Sequence, residues 1–224
     1  MQPRTVAIIV TILPLLAVNG AYLFSAAAGN VPWCVPYLEG CTSISRAGRH
    51  GDAVFLFRAT MIPHAIFLIW FWLFARDWLG LLNGGSTRPA RIMCWLGVIG
   101  ALFLILYVDF LGSSGTVYRF MRRYGVIFYF TFTPLAQMIL LNQLYKLKSL
   151  RPELSIDRRA LGFQLALLVL ILLIGIVDLV MGYSEIKTDA SGNIVEWNFA
   201  LLTTLYFAGT ALMWKRFRYS FRYE

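Results

Sequence analysis

The sequence predicts an all-α polytopic membrane protein: one bundle of six transmembrane helices over residues 1–224, with both termini cytoplasmic. Three observations carry that expectation. Of the 224 residues 59% are hydrophobic and only 14% charged, against about 25% charged in ordinary soluble domains, so the surplus apolar surface must face lipid. Apolar stretches close to the roughly 20 residues that cross about 30 Å of hydrocarbon recur along the chain, with polar loops between them. Lys and Arg gather at the ends of those stretches, where they set orientation.

The stretches cover residues 5–27, 53–75, 92–111, 125–145, 161–181 and 197–214. A spanning segment must satisfy its own backbone in lipid, and these runs are too long and too unalternating for barrel strands, so helices follow. In the first stretch, Arg4, the apolar run and the small residues at 25–29 imitate a secretory signal. Its apolar core exceeds the roughly 7–15 residues of such a signal, so it is expected to be retained. Pro63 and Pro134 each remove a backbone donor from the second and fourth stretches and predict kinks there. Gly97 and Gly100 in the third, and Gly162 and Gly175 in the fifth, are small residues that let helices approach. Gln137, Asn142 and Gln143 in the fourth are suited to hydrogen bonds between helices. Trp33, Trp78, Trp95 and Trp197 fall near predicted ends, as an interfacial belt requires. Cys94 reads as a small apolar filler.

A net charge of +9 would suggest nucleic acid in a soluble protein, but here the basic residues flank spans and no nucleic-acid partner is expected. One side collects Arg4, Arg76, Arg88, Arg91, Lys146, Lys148, Arg151, Arg158, Arg159 and the tail Lys215, Arg216, Arg218 and Arg222. The other holds Arg46, Arg49, Arg119, Arg122, Arg123 and Lys187, so the loops near 29–52, 112–124 and 182–196 are assigned to the non-cytoplasmic side of a plasma (inner) membrane or endomembrane. Arg119, Arg122 and Arg123 run against this bias. The tail, interleaved with Phe and Tyr, reads as an anchor on anionic lipid. The loop at 146–160 offers Ser155 as a helix cap, and residues 189–193 read as a turn. In the first non-cytoplasmic loop, Cys34 and Cys41 are spaced to close a small disulfide ring in an oxidising compartment, two free thiols being the alternative.

An ionisable group inside a span costs about 2.5–3.5 kcal/mol or more at the helix centre unless paired or wetted. The candidates are Arg58 and His64 in the second stretch, Asp109 in the third, Asp178 in the fifth and Glu196 at the start of the sixth, all toward the non-cytoplasmic half. Three readings stand. The residues form ion pairs, with Arg58 neutralised by Asp109, Asp178 or Glu196. Alternatively, they line a pocket for a lipid head group, where the planar fork of Arg58 suits a phosphate. In the third reading His64 is a general base or one metal ligand, with Ser43 or Ser45 as nucleophile in an acyl transferase or hydrolase. No HExxH, nucleophile elbow or paired-cysteine motif is present, and neither a metal nor a cofactor is expected.

Several short motifs share their order with a known family. Pro36-Tyr37 and Ser43-Ile44-Ser45 fall in the first non-cytoplasmic loop, Arg58 and His64 keep a six-residue separation, and Glu196-Trp197 opens the last span. In these the chain resembles the Frag/DRAM/Sfk six-span membrane family, which includes DRAM autophagy modulators, the post-GPI-attachment protein two and the N-terminal region of the yeast Cwh cell-wall protein. Two positions depart from the family pattern: Arg122 stands before Gly125 where relatives carry His, and Arg216-Phe217 stands for Asp-Phe. The resemblance implies lipid handling, including lipid remodelling of GPI anchors, with membrane lipids as partners. The expected function is therefore lipid head-group binding, with the membrane enzyme and a scaffold for a partner membrane protein as alternatives.

Overall fold

The structure is a computed structural model that describes residues 1–215 and 217, so the anchor read at Arg216, Arg218 and Arg222 lies outside the described residues. Among the described residues every regular element is a helix. Five are long and apolar enough to cross a membrane, as in an integral membrane protein: α1 (Pro3–Ala27), α4 (Ala53–Asn83), α5 (Arg88–Asp109), α6 (Thr116–Leu150) and α7 (Arg158–Tyr183). A further long helix, α8 (Asp189–Met213), is less apolar, and two short helices, α2 (Pro36–Glu39) and α3 (Ile44–Ala47), sit in the loop after α1.

Helix ends follow local chemistry more closely than hydropathy. The second stretch continues eight residues past its predicted end, because Arg76 and Asp77 pair at 2.8 Å and the helix stops only where Gly84 takes a left-handed φ of 76°. Thr87 accepts the Ala90 N–H to start α5, and Pro89 follows within the first turn. Asp157, not Ser155, caps α7 by accepting from Arg159 and Ala160. Residues 189–193, expected as a turn, are instead the first turn of α8, because Thr188 and Ser191 form a reciprocal capping box. α4 and α6 run as continuous helices through Pro63 and Pro134, and α1 does so through Pro14.

The helices close a ring in which α1 packs on α4, α4 on α5, α5 on α6, α6 more lightly on α7, α7 on α8 and α8 back on α1. The buried stripe of α4, with Phe57, Met61, His64, Leu68, Phe71, Trp72 and Leu79, follows helical spacing and forms the centre of the core. Close approach depends on Gly97, where a Cβ would stand 2.2 Å from the Trp72 ring, and on Gly125, where it would stand 2.8 Å from the Tyr107 backbone N. Gly100 similarly faces Thr133, but Gly162 and Gly175 have nothing within 4 Å and mediate no approach. Trp33 and Trp95 are exposed as a belt requires, whereas Trp78 and Trp197 are buried core residues.

α8 has a different character from the other long helices. Gln137 on α6 donates to the Thr203 carbonyl at 2.9 Å, and Gln164 on α7 donates to the Tyr206 carbonyl and the Thr210 hydroxyl. Asn142 and Gln143 make no such bridge. α8 is thus held by side-chain hydrogen bonds from two neighbours, directed mainly at its backbone carbonyls.

Candidate functional site

The expected disulfide between Cys34 and Cys41 is present, with the Cα atoms 6.5 Å apart. It closes a ring over one end of the bundle, and the first turns of α8 hold that ring down. Asn193 donates to the Gly40 carbonyl at 2.7 Å, Trp197 to Thr42 at 2.8 Å and Asn198 to Tyr37 at 2.8 Å. The Glu196 carboxylate accepts from the backbone N–H groups of Ser45, at 3.3 Å, and Ile44. Beneath, Trp197 meets Tyr22 and Tyr37 edge to face, and the Tyr37 hydroxyl bonds Asn19 on α1. The Pro36-Tyr37, Ser43–Ser45 and Glu196-Trp197 motifs are therefore one tertiary unit, with Pro36 starting α2 and Ser43 accepting the Arg46 N–H to start α3.

A slot descends from this unit into the bundle between α1, α4, α5, α6 and α8. Tyr37, Ile44, Glu196 and Trp197 lie at its upper end, and Pro14, Met61, Tyr129 and Thr204 line it further in. From Glu196 to Thr204 it follows two turns of α8, about 12 Å. Its cavity volume is about 40 Å³. Its walls are almost wholly apolar. The hydroxyls of Tyr107 and Tyr129, which line it one turn apart in depth, make no hydrogen bond to another described residue.

The slot has a side opening. Low in the bundle α6 and α8 are tied by Gln137 to Thr203 and by the Tyr206 hydroxyl to the Gln137 carbonyl, each at 2.9 Å. Above that tie a wider recess of about 300 Å³ lies between Val126 and Phe130 of α6 and Val195, Glu196 and Phe199 of α8, with Ser45 at its rim. Recess and slot share Tyr107, Val126, Phe130 and Glu196. The Phe130 and Phe199 rings meet perpendicularly at 5.5 Å across the gap.

Charge gathers only at the rim. Arg49, in the loop after α3, is half-buried, and its Nε is enclosed without a hydrogen-bond partner among the described residues. Burial, then the like charges of Arg46 and Arg122, hold the pKa of its guanidinium below the ordinary arginine value, opposed by Tyr107 and Glu196. Arg122 donates to the Phe110 carbonyl at 3.2 Å and to that of Ser113, completing the end of α5. Arg46 directly follows Ser45 of the recess and Arg122 lies one turn before Val126 of α6, so these arginines flank the mouth, whereas among the described residues the one charged residue in the lining of slot and recess is Glu196.

The five ionisable residues expected to share one pocket are dispersed. Arg58 donates to the Leu111 carbonyl at 2.6 Å and pairs with none of the three carboxylates. Asp178 pairs with Lys187 at 2.6 Å, and Asp109 is exposed and has no partner among the described residues. His64 is fully buried one turn beyond Met61, outside the slot lining, and both ring nitrogens lack partners among the described residues. Ser43 and Ser45 face each other at 3.2 Å, and neither bonds His64. Only Glu196 of the five lines the slot. Among the described residues no three His, Cys, Asp or Glu side chains are grouped to hold a metal ion.

Arg46, Arg49 and Arg122 lie near the mouth, but no arginine among the described residues takes the lining position expected for Arg58. Their signal in the sequence was the basic charge on the side that the positive-inside bias leaves poor. Tyr107 and Tyr129 carried no such signal, being two of 11 tyrosines. No protein family, curated protein or solved structure matches this chain.

Proposed function

We propose that this protein binds a membrane lipid, with one acyl chain in the slot and the head group at the arginine-rimmed recess between α6 and α8. The observation that carries the reading is the distribution of polarity. The passage is apolar along its length, is open sideways between two helices, and is charged only at the end where a head group would sit. A mostly apolar lining is common to small-molecule sites, but polarity confined to one end of a passage that opens between two helices suits a lipid. Tyr107 and Tyr129 in the lining offer hydroxyl donors to the glycerol region of such a lipid.

In this reading α8 is a sixth span, which puts both termini on the cytoplasmic side and the disulfide ring on the other. Its low hydropathy is supported as an interior feature by the hydrogen bonds that Thr203, Tyr206 and Thr210 receive or make. Lipid handling and a place in the Frag/DRAM/Sfk family belong to the same proposal. The head-group ligands differ from those expected, since Arg58 is engaged with the end of α5.

Native mass spectrometry of the detergent-purified protein tests the reading. The wild type is expected to retain one lipid, and Ala200→Trp, which fills the slot from α8, to lose it while keeping its helical circular-dichroism spectrum. Equal lipid retention by a folded Ala200→Trp variant contradicts the proposal.

A further inference from the structure

The rim of the slot identifies the class of head group, an inference that rests on the lipid reading above. Glu196 already accepts two backbone N–H groups from the start of α3, so its carboxylate is occupied and partly compensated. The positive charge is not compensated. Arg46 is exposed, Arg49 has an enclosed Nε with no acceptor, and Arg122 uses only one terminal nitrogen on the α5 carbonyls. A buried donor without an acceptor costs free energy until a ligand supplies one. Guanidinium forks match phosphate oxygens two at a time, and three like charges near one another favour an anion that neutralises them.

We infer that the site selects a lipid whose head group is an anionic phosphate, gripped by Arg49 with Arg46 and Arg122, in preference to a zwitterionic one. A choline or ethanolamine cation would meet the arginines and find its only carboxylate engaged. The Ser45 hydroxyl lines the same recess and adds a neutral donor.

The test is thermal-shift titration of the full-length protein in a neutral detergent, using dioctanoyl phosphatidate, dioctanoyl phosphatidylcholine and inorganic phosphate as separate probes. Phosphatidate is expected to bind at least about 10-fold more tightly than phosphatidylcholine, with inorganic phosphate weaker than either. The combined Arg46→Gln and Arg49→Gln change is expected to weaken phosphatidate by about 10-fold or more, the scale of a lost charged hydrogen bond, and to leave phosphatidylcholine unchanged. Arg49→Lys, which keeps the charge and removes the fork, should fall between and guards against a folding defect. Equal binding of the two lipids, insensitive to the arginine changes, overturns the head-group inference and leaves the slot standing. Failure of both lipids to bind the wild type overturns the slot itself. If inorganic phosphate alone reproduces the phosphatidate shift, the arginines form a free-anion site and the lipid head-group assignment is wrong.

Discussion

His64 and Arg58 differ in what burial asks of them. His64 sits in the core with two ring nitrogens and no partner among the described residues, so its polarity contributes nothing that a hydrocarbon side chain of similar size would lack. Replacing such a group by an apolar one removes a desolvation cost of about 1–3 kcal/mol. His64→Leu is therefore expected to melt at or above the wild-type temperature and to retain lipid; a fall of several degrees, or loss of lipid, would show that the imidazole has work to perform. Arg58 is the opposite case. Its charged hydrogen bond to Leu111 closes the end of α5, so Arg58→Met should lower stability by about 1.5–3 kcal/mol in a denaturation series while lipid binding persists. Both residues were conspicuous in the sequence because charge within an apolar run stands out. What each touches depends on the loop at 110–115 and on the phase of α4, and neither is written in hydropathy.

Among the helices, packing is decided where a missing side chain admits a neighbour. Gly97 admits the Trp72 ring and Gly125 admits the α5 backbone, whereas Gly162 faces open space on α7. Gly97→Ala is expected to cost about 1–3 kcal/mol, the usual penalty of overpacking, and Gly162→Ala to cost nothing or to stabilise through helix propensity. Guanidine or thermal melts of the two variants measured side by side would expose the error if their order reversed. The sequence could name all the candidate glycines but could not rank them, since their alignment with Trp72 or Tyr107 is a property of two helices together. Helix ends show the same division. The Thr188-to-Ser191 capping box was present in the sequence but concealed by turn-forming residues, so α8 begins eight residues before its apolar stretch. α6, at 35 residues or about 52 Å, exceeds the bilayer and carries Arg119, Arg122 and Arg123 on its extra turns at the ring end. That extension brings Arg122 to the carbonyls at the end of α5, one turn before Val126 of the recess.

For the molecule as a whole, an apolar composition and recurring long runs were enough to read a helical membrane protein, and five helices satisfy that reading by length and hydropathy. α8 meets it by length and not by hydropathy, because Asn193, Glu196 and Asn198 face protein partners that composition cannot display. The slot was not legible at all. It arises because α6 and α8 are tied at Gln137 and Thr203 and leave a recess above, while the ring-end half of α7, from Leu172 onward, buries no residue against the bundle. Such a passage should distinguish a held lipid from the lipids that merely coat the exposed faces of α7. Photocrosslinking with a phospholipid that carries a diazirine midway along one acyl chain, followed by peptide mapping, separates the two. Labels on Met61, Tyr129 and Leu201 inside the slot are the expected result; labels confined to outward residues of α7 such as Leu172, Ile176 and Leu179 would contradict it.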